Sequence, residues 1–493
     1  MKLVTKKILL KKRAFVCLIF SVIFWFLLPN ISHAQLLKSF QYESQGQPGL
    51  ASNSVTDILV LDNAIWFGTG GGLTRTLDSG LTFESFGIAQ GIGKGSISAL
   101  AVSNEIIWVA TGFDSITVVG EQQTGGGLAY SMDDGLSWNF VPQPGPTPVS
   151  NITFDIALRN DEVWITSFAG GLRKSTDLGQ SWEIVTPDSF IFDVVGRLNH
   201  RAFSVISVEG VLWVGTAGGV NRSTDGGVTW TSFSHQNQAQ PISGNFVVAL
   251  ENQKYGNKNI IWAATRETTV ESNDETEFRG VSWTEDFGFT WRTALAGETI
   301  HNFTVDDSLI YAASDRGVFV SVDEGEIWAL FPGIVNPTGT RRILSERTFA
   351  AAISSGPTLW VGTGDGIGKT ANNGLTWQVF QTFEPTGQND TPRTYAYPNP
   401  FSPSVHNQIG AGGNVRFQYN TINETNVTLK IYDFGMRHVA TVAENRLRPA
   451  NGDFYEIWDG LNSKGVQVAN GVYFYRLELS RDGTYWGKLV VLN

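Results

Sequence analysis

Cysteine is all but missing: Cys17 is the only one in 493 residues, and it lies inside an N-terminal apolar run. A chain processed behind that run has neither a disulfide nor thiolate chemistry. Histidine is nearly as scarce. Beyond residue 34 only His200, His235, His301, His406 and His438 remain, no two close in sequence and none in an HExxH pattern, so a catalytic zinc site is not expected. A GxSxG elbow and an EF-hand loop are also lacking. Charged residues make up only 16%, and basic ones are the minority. Residues 1–34 hold six basic residues and no acid; without them 35 − 6 = 29 basic residues face 46 acidic ones, a net of −17. Nucleic-acid binding is not expected of such a chain, because phosphate contacts need a basic face. Windows rich in Ala, Glu, Lys and Leu are absent, which excludes a helical bundle or coiled coil. Aromatics at 12% exclude a disordered chain.

What is present is glycine, 54 residues, together with 16 tryptophans. That composition suits short strands joined by tight turns. The N-terminus reads as a targeting segment. Basic residues precede the apolar run Ala14 to Pro29, and Ser32-His33-Ala34 offers small residues for cleavage before Gln35. The run has 16 residues, short of the roughly 20 that span a bilayer. Cys17 is not at its end, which argues against a lipid-modified N-terminus. No later segment is long and apolar enough to be transmembrane, so the expectation is export with cleavage.

The decisive feature is internal repetition. An apolar run, an aromatic, a small residue and Thr or Ser recur with marker aromatics Trp66, Trp108, Trp164, Trp213, Trp262, Tyr311 and Trp360. Their spacings are 42, 56, 49, 49, 49 and 49. Each copy is followed by a turn of the form Ser/Thr-x-Asp-x-Gly-x-x-Trp. The turn acids are Asp78, Asp133, Asp177, Asp225, Asp286 and Asp323, with Asn372 in the seventh, and the closing aromatics run from Phe83 through Trp138, Trp182, Trp230, Trp291 and Trp328 to Trp377. The Asp carboxylate suits an acceptor for its own turn's N–H groups, the glycine suits positive φ, and the indole can fold over the turn. A period near 49 holding four short strands is the size of a propeller blade. In the first copy these strands are expected at about 54–61, 64–69, 72–77 and 82–88. Residues 37–43 could pair with the last blade, but 376–381 also reads as its outer strand, which leaves the closure open.

This pattern, over 54–381, resembles the Asp-box (bacterial neuraminidase) repeat. The resemblance implies an all-β chain with a seven-bladed β-propeller over 35–381. It also raises sialidase and other glycosidase activity, which needs a carboxylate with three arginines and a Tyr–Glu pair, or paired carboxylates. No such constellation is visible in the sequence, and the boxes mark scaffold.

Residues 382–394, polar and with two prolines, read as a linker. From Tyr395 the composition changes. Strand-like alternation at 415–419, 427–432 and 472–477 is separated by Asn451-Gly452, Asp459-Gly460, Asn470-Gly471 and Asp482-Gly483, which suggests an Ig-like β-sandwich over 395–493. Tyr397-Pro398-Asn399-Pro400-Phe401, Ile431-Tyr432-Asp433, Trp458-Asp459-Gly460, Gly471-Val472-Tyr473-Phe474-Tyr475 and the terminal Gly487 to Asn493 occur in that order. The order is similar to the C-terminal sorting domain of type IX secretion and to the Ig-like domain of flagellar hook-capping proteins. The resemblance implies delivery to the outer-membrane surface or medium, with the secretion machinery as a partner. A periplasmic owner is the alternative.

Two stretches invite a chemical reading. Gly362 to Thr370 looks like a phosphate loop but fails its spacing and reads as a hairpin. Cations recur three residues before the turn acid at Arg75, Lys174, Arg222 and Lys369, a strand position rather than a cluster. No catalytic residue, cofactor or metal ligand is assigned. In a propeller the second-to-third strand loops and the interblade loops share one face. The expanded members are 112–127, 186–202, 266–280 (with Glu267, Glu271 and Asp274) and 332–348 (with Arg341, Arg342 and Arg347), and this face is expected to bind a protein or glycan. The expected function is therefore a non-catalytic platform, with a secreted glycoside hydrolase as alternative and a periplasmic assembly factor as a third option.

Overall fold

A computed structural model describes residues 47–492 apart from 119, 269–276, 388–390, 405–408 and 410–412. It is nearly all β, with three single-turn 3-10 segments. The segment 37–43 lies outside the described residues.

Between 47 and 380 the strands form seven antiparallel sheets, spanning 55–86, 96–141, 153–185, 202–233, 246–294, 300–330 and 348–380. Each has four strands in chain order, and the first gains a fifth, Gln47–Pro48, paired with Glu84–Phe86 on its outer edge. Innermost strands neighbour one another in sequence, and that of the last sheet neighbours that of the first. The fourth strand of the last sheet is its own Gln378–Phe380, and among the described residues no strand is exchanged between the last sheet and the first. The seam is held by Asn53, whose side chain donates to Thr382 O and accepts from Thr382 N, both at 2.7 Å.

The turn motif also works between sheets. In the first box Thr76 Oγ1 donates to Asp78 Oδ1 (2.9 Å) and accepts from Gly80 N (2.9 Å), while Thr82 donates from its N–H to Asp78 Oδ1 and from its hydroxyl to Oδ2. The same pattern recurs at Asp133, Asp177, Asp225 and Asp286; at Asn372 the amide Oδ1 accepts from Thr376 N while its Nδ2 donates to the Thr376 hydroxyl, and at Asp323 Ile327 supplies only its N–H. The indole N–H of Trp182, Trp230, Trp291 and Trp328 donates to the carbonyl of its own box glycine; those of Trp138 and Trp377 do not. Gly135 has φ +80, and a Cβ there would lie 2.5 Å from Trp66 of the preceding sheet. The box glycine is thus required by close approach as well as by backbone conformation. The recurring cation spans the same junction. Arg75 donates to Asp134 O, Arg222 to Phe287 O and Lys369 to Ser79 O, each in the next box, while lying over its own sheet's marker indole.

Residues 394–491 form two further antiparallel sheets, one of three strands and one of four, enclosing a separate core that includes Phe401, Phe417, Tyr419, Ile431, Trp458, Tyr475 and Leu477. The three-stranded sheet rests on the seventh ring sheet. Arg416 forks onto Asp365, and the Tyr455 hydroxyl accepts from Arg342 N at 2.8 Å. Asp365 belongs to the Gly362–Thr370 stretch, which is a hairpin turn between strands Thr358–Thr363 and Gly366–Thr370.

Candidate functional site: the axial cavity

The first strand of all seven ring sheets carries a register break after its first paired residues, at Val55/Asp57, Ile97/Ala99, Thr153/Asp155, Ala202/Ser204, Val247/Ala249, Ile300/Asn302 and Thr348/Ala350. A bulge turns the skipped residue out of the ladder. The seven skipped residues are Thr56, Ser98, Phe154, Phe203, Val248, His301 and Phe349, and all seven line one cavity of about 860 Å³ on the ring axis. One residue from every sheet therefore meets at this mouth.

The mouth is largely aromatic. Phe203 packs on Phe154 (5.3 Å between ring centres), Phe246 (4.4 Å) and Phe168 (6.4 Å), and Phe349 packs on His301 (5.5 Å). Lys94 lies 4.0 Å over Phe113 at the rim. His301 Nε2 is 2.8 Å from Asp315 Oδ1, which also accepts from Arg347 Nε at 2.8 Å. Burial holds the His301 imidazole below its ordinary value against the pull of Asp315. Burial works against the Asp315 carboxylate too, yet His301 and Arg347 bring it below the usual range.

A narrower space of about 440 Å³ continues from the mouth and is lined by Asp57, Asp155 and Glu251. Burial, reinforced by the charge of Asp155, pushes Asp57 up to about 7. Burial alone outweighs hydrogen bonding at Asp155, pushed up to about 6, and it takes Glu251 to about 7 with Asp155 again adding. Both oxygens of the two aspartates are engaged by strand groups. Asp57 accepts from Ile58 N and, across to the next sheet, Leu100 N; Asp155 accepts from Ile156 N and, across, Val205 N and Ser204 Oγ. These acids latch neighbouring sheets where the bulge has freed N–H groups. Asn302 takes the matching place in the sixth sheet and accepts from Phe303 N.

Of the charged residues expected at the binding face, Arg347 alone comes near this mouth, through Asp315 beside Phe349, while Phe113, Asp114 and Gln123 of the 112–127 stretch, Arg266 of 266–280 and His301 line it. Glu267 pairs with Arg279 at 2.9 Å in the stem of its loop, and Glu271 and Asp274 lie outside the described residues. Arg342 is engaged through its backbone by Tyr455, with Arg341 beside it, so the 332–348 loop carries the C-terminal sheet. The stretch 112–127 continues as a paired hairpin of two 12-residue strands, because Phe113 to Thr117 stay in register with Gly120 to Thr124. The box residues lie in their own turns and not at the axial cavity. The mouth ring and the latch acids escaped sequence reading. No shared residue type marks these positions: Thr153-Phe154-Asp155 carries an aromatic and an acid, whereas Ile97-Ser98-Ala99 and Val247-Val248-Ala249 carry neither. Among the described residues no group of three or more His, Cys, Asp or Glu side chains is arranged to hold a metal.

No protein-family model and no curated protein matches the chain. Solved structures do. A GH74 enzyme from Niastella koreensis superposes with TM-score 0.51 at 15% identity, covering 90% of this chain and 67% of that one. An ancestral GH74 enzyme gives 0.51 at 15%, with 90% and 63% covered. PorZ, a surface component of the type-IX secretion system of Porphyromonas gingivalis, gives 0.33 at 16%, with 90% and 71% covered. The GH74 likeness shows the fold, a β-propeller, and at that identity nothing about activity passes with it. The score for PorZ supports no inference. Among the described residues no helix is long and apolar enough to cross a membrane.

Proposed function

We propose that this chain is an exported, non-catalytic binding platform. Residues 35–381 make a seven-bladed Asp-box propeller whose axial mouth receives a protein or glycan ligand. Residues 395–493 make an Ig-like module that directs type IX secretion or surface attachment.

One observation carries the binding reading: each ring sheet contributes its bulged residue to a single open, aromatic cavity. Below it, the two aspartates have both oxygens committed to neighbouring strands, which leaves them poorly placed as a free acid and base. An apolar cavity with a few polar groups at its rim is the ordinary form of a binding site.

The test is a binding and turnover panel of glycans and surface-protein fragments against the purified mature chain. Capture without turnover, lost in Phe203→Ala and Phe246→Ala, is expected. Product release that disappears in Glu251→Gln would establish the glycosidase instead. Export is tested by sequencing the mature N-terminus, expected at Gln35, and by protease shaving of intact cells.

A further inference from the structure

We propose that the outward face of the four-stranded C-terminal sheet binds an acidic polysaccharide. This site is separate from the axial mouth and does not depend on what the mouth binds.

The sheet's inner residues Leu429, Ile431, Tyr475, Leu477 and Leu489 fill the module's core. The alternate residues point the other way. Across three adjacent strands they form two rows: Tyr432 beside Phe474 beside Lys488, and Lys430 beside Arg476 beside Trp486. A ring in one row therefore adjoins a cation in the other. Tyr432 and Trp486 are 5.6 Å apart, and Arg476 lies 6.0 and 5.9 Å over them. Trp486 is 49% exposed, and Phe434, 6.4 Å from Phe474 at the end of the row, is 77% exposed. Among the described residues neither Lys430 nor Lys488 has an acidic partner, whereas Arg476 pairs with Glu478 and Arg437 with Asp433.

A soluble sheet face has no reason of its own to expose this much ring surface, and a contiguous apolar patch rimmed by charge marks an interaction site. Strands repeat every 4.7–4.9 Å or so, close to the length of one pyranose ring. A linear chain lying across the strands meets ring, ring and cation on one row and cation, cation and ring on the other. A polyuronate matches this: each unit offers an apolar C–H face for a ring and one carboxylate for a cation. The screening length near 8 Å at physiological salt means that the local cations, not the acidic chain as a whole, set the attraction. Single-stranded nucleic acid stacks successive bases on successive ring faces, whereas a sugar unit needs C–H contact with one ring only. Here the Tyr432 and Trp486 rings are inclined at 43° and share the guanidinium of Arg476.

The test is titration calorimetry of the full mature chain with polygalacturonate oligomers, neutral dextran and an oligo-dT strand. Polygalacturonate is expected to bind, more weakly as salt rises, and at least about tenfold more weakly in Trp486→Ala or in Lys430→Glu/Lys488→Glu. Phe203→Ala at the axial mouth is expected to leave it unchanged, which separates this site from the other. All positions changed on the sheet are exposed or half-exposed, and an unchanged melting temperature confirms folding. Absence of polygalacturonate binding, wild-type binding by the double lysine variant, equal binding of dextran, or tighter binding of oligo-dT would each overturn the proposal.

Discussion

Arg416 and Asp365, 51 residues apart in the chain, lie face to face with both guanidinium N–H groups on both carboxylate oxygens, at 1% and 3% exposure. Asp365 also accepts from Leu344 N at 2.7 Å, and Arg416 lies 4.8 Å over Tyr455. The turn of the last ring sheet is therefore tied to the C-terminal module by a charge pair removed from water. Such a pair is costly to break from one side, because the remaining charge stays buried.

Arg416→Met is accordingly expected to destabilise the chain by about 3–5 kcal/mol, while Arg416→Met with Asp365→Leu costs clearly less than the sum of the single changes. Urea denaturation of the four forms checks this. In the single variant, proteolysis should also find the 382–394 segment sooner. Additive effects would mean that the pair contributes nothing as a pair.

The two latch aspartates and Glu251 beside them make stability fall toward alkaline pH. Their folded values lie above those of the unfolded chain, at about 7 for Asp57 and Glu251 and about 6 for Asp155. The folded ring therefore holds protons that the unfolded chain has released. Their contribution is complete below about pH 4 and is lost as pH rises through 6 to 7. The expected result is a higher urea midpoint at pH 5 than at pH 8. Asp57→Asn should flatten the difference, since Asn302 already fills the matching place. An unchanged slope in that variant counts against the account.

The box acids act in the opposite sense. Hydrogen bonds from Thr82 and Thr229 lead in bringing Asp78 and Asp225 down to about 2, and the other box acids move the same way. A depressed value means stability that is present above about pH 4 and lost as pH falls through 2. Together with the latch acids this places maximal stability near pH 4–5. Replacing Asp78 and Asp225 by Asn, as nature has at 372, should reduce the loss between pH 4 and 2.5 as followed by tryptophan fluorescence.

The repeat was legible because its information is local. Glycine, acid and indole sit within eight residues, and the same turn bonds recur at each copy. The four strands expected for the first copy lie within a few residues of Val55–Leu61, Ala64–Thr69, Gly72–Thr76 and Glu84–Phe86. The axial mouth was not legible. Its seven residues are of five kinds, and what unites them is a bulge, which has no residue signature of its own. Nor could spacing show why cations recur at Arg75, Arg222 and Lys369. Their partner is a carbonyl of the next box, which only the ring brings near. The Arg416–Asp365 pair joins segments that no local pattern connects.

The seam yields a final prediction. Among the described residues no backbone ladder stitches the ends of the ring, although Gly366 N–H donates to Asn53 O at 2.6 Å. Asn53 substitutes for one, spending both polar atoms of one amide on the N–H and C=O of Thr382, and Lys369 reaches Ser79 O from the other side. Asn53→Ala leaves two backbone groups without that partner and should cost about 1–3 kcal/mol. Asn53→Asp should do no better, since a carboxylate can accept from Thr382 N–H but faces its carbonyl. If the amide is the clasp, hydrogen exchange in both variants rises first in Val55–Leu61 and Gln378–Phe380, while Ala202–Val208 across the ring stays protected. Exchange that rises evenly around the ring would show that closure is shared by the packed inner strands and that Asn53 holds no special place.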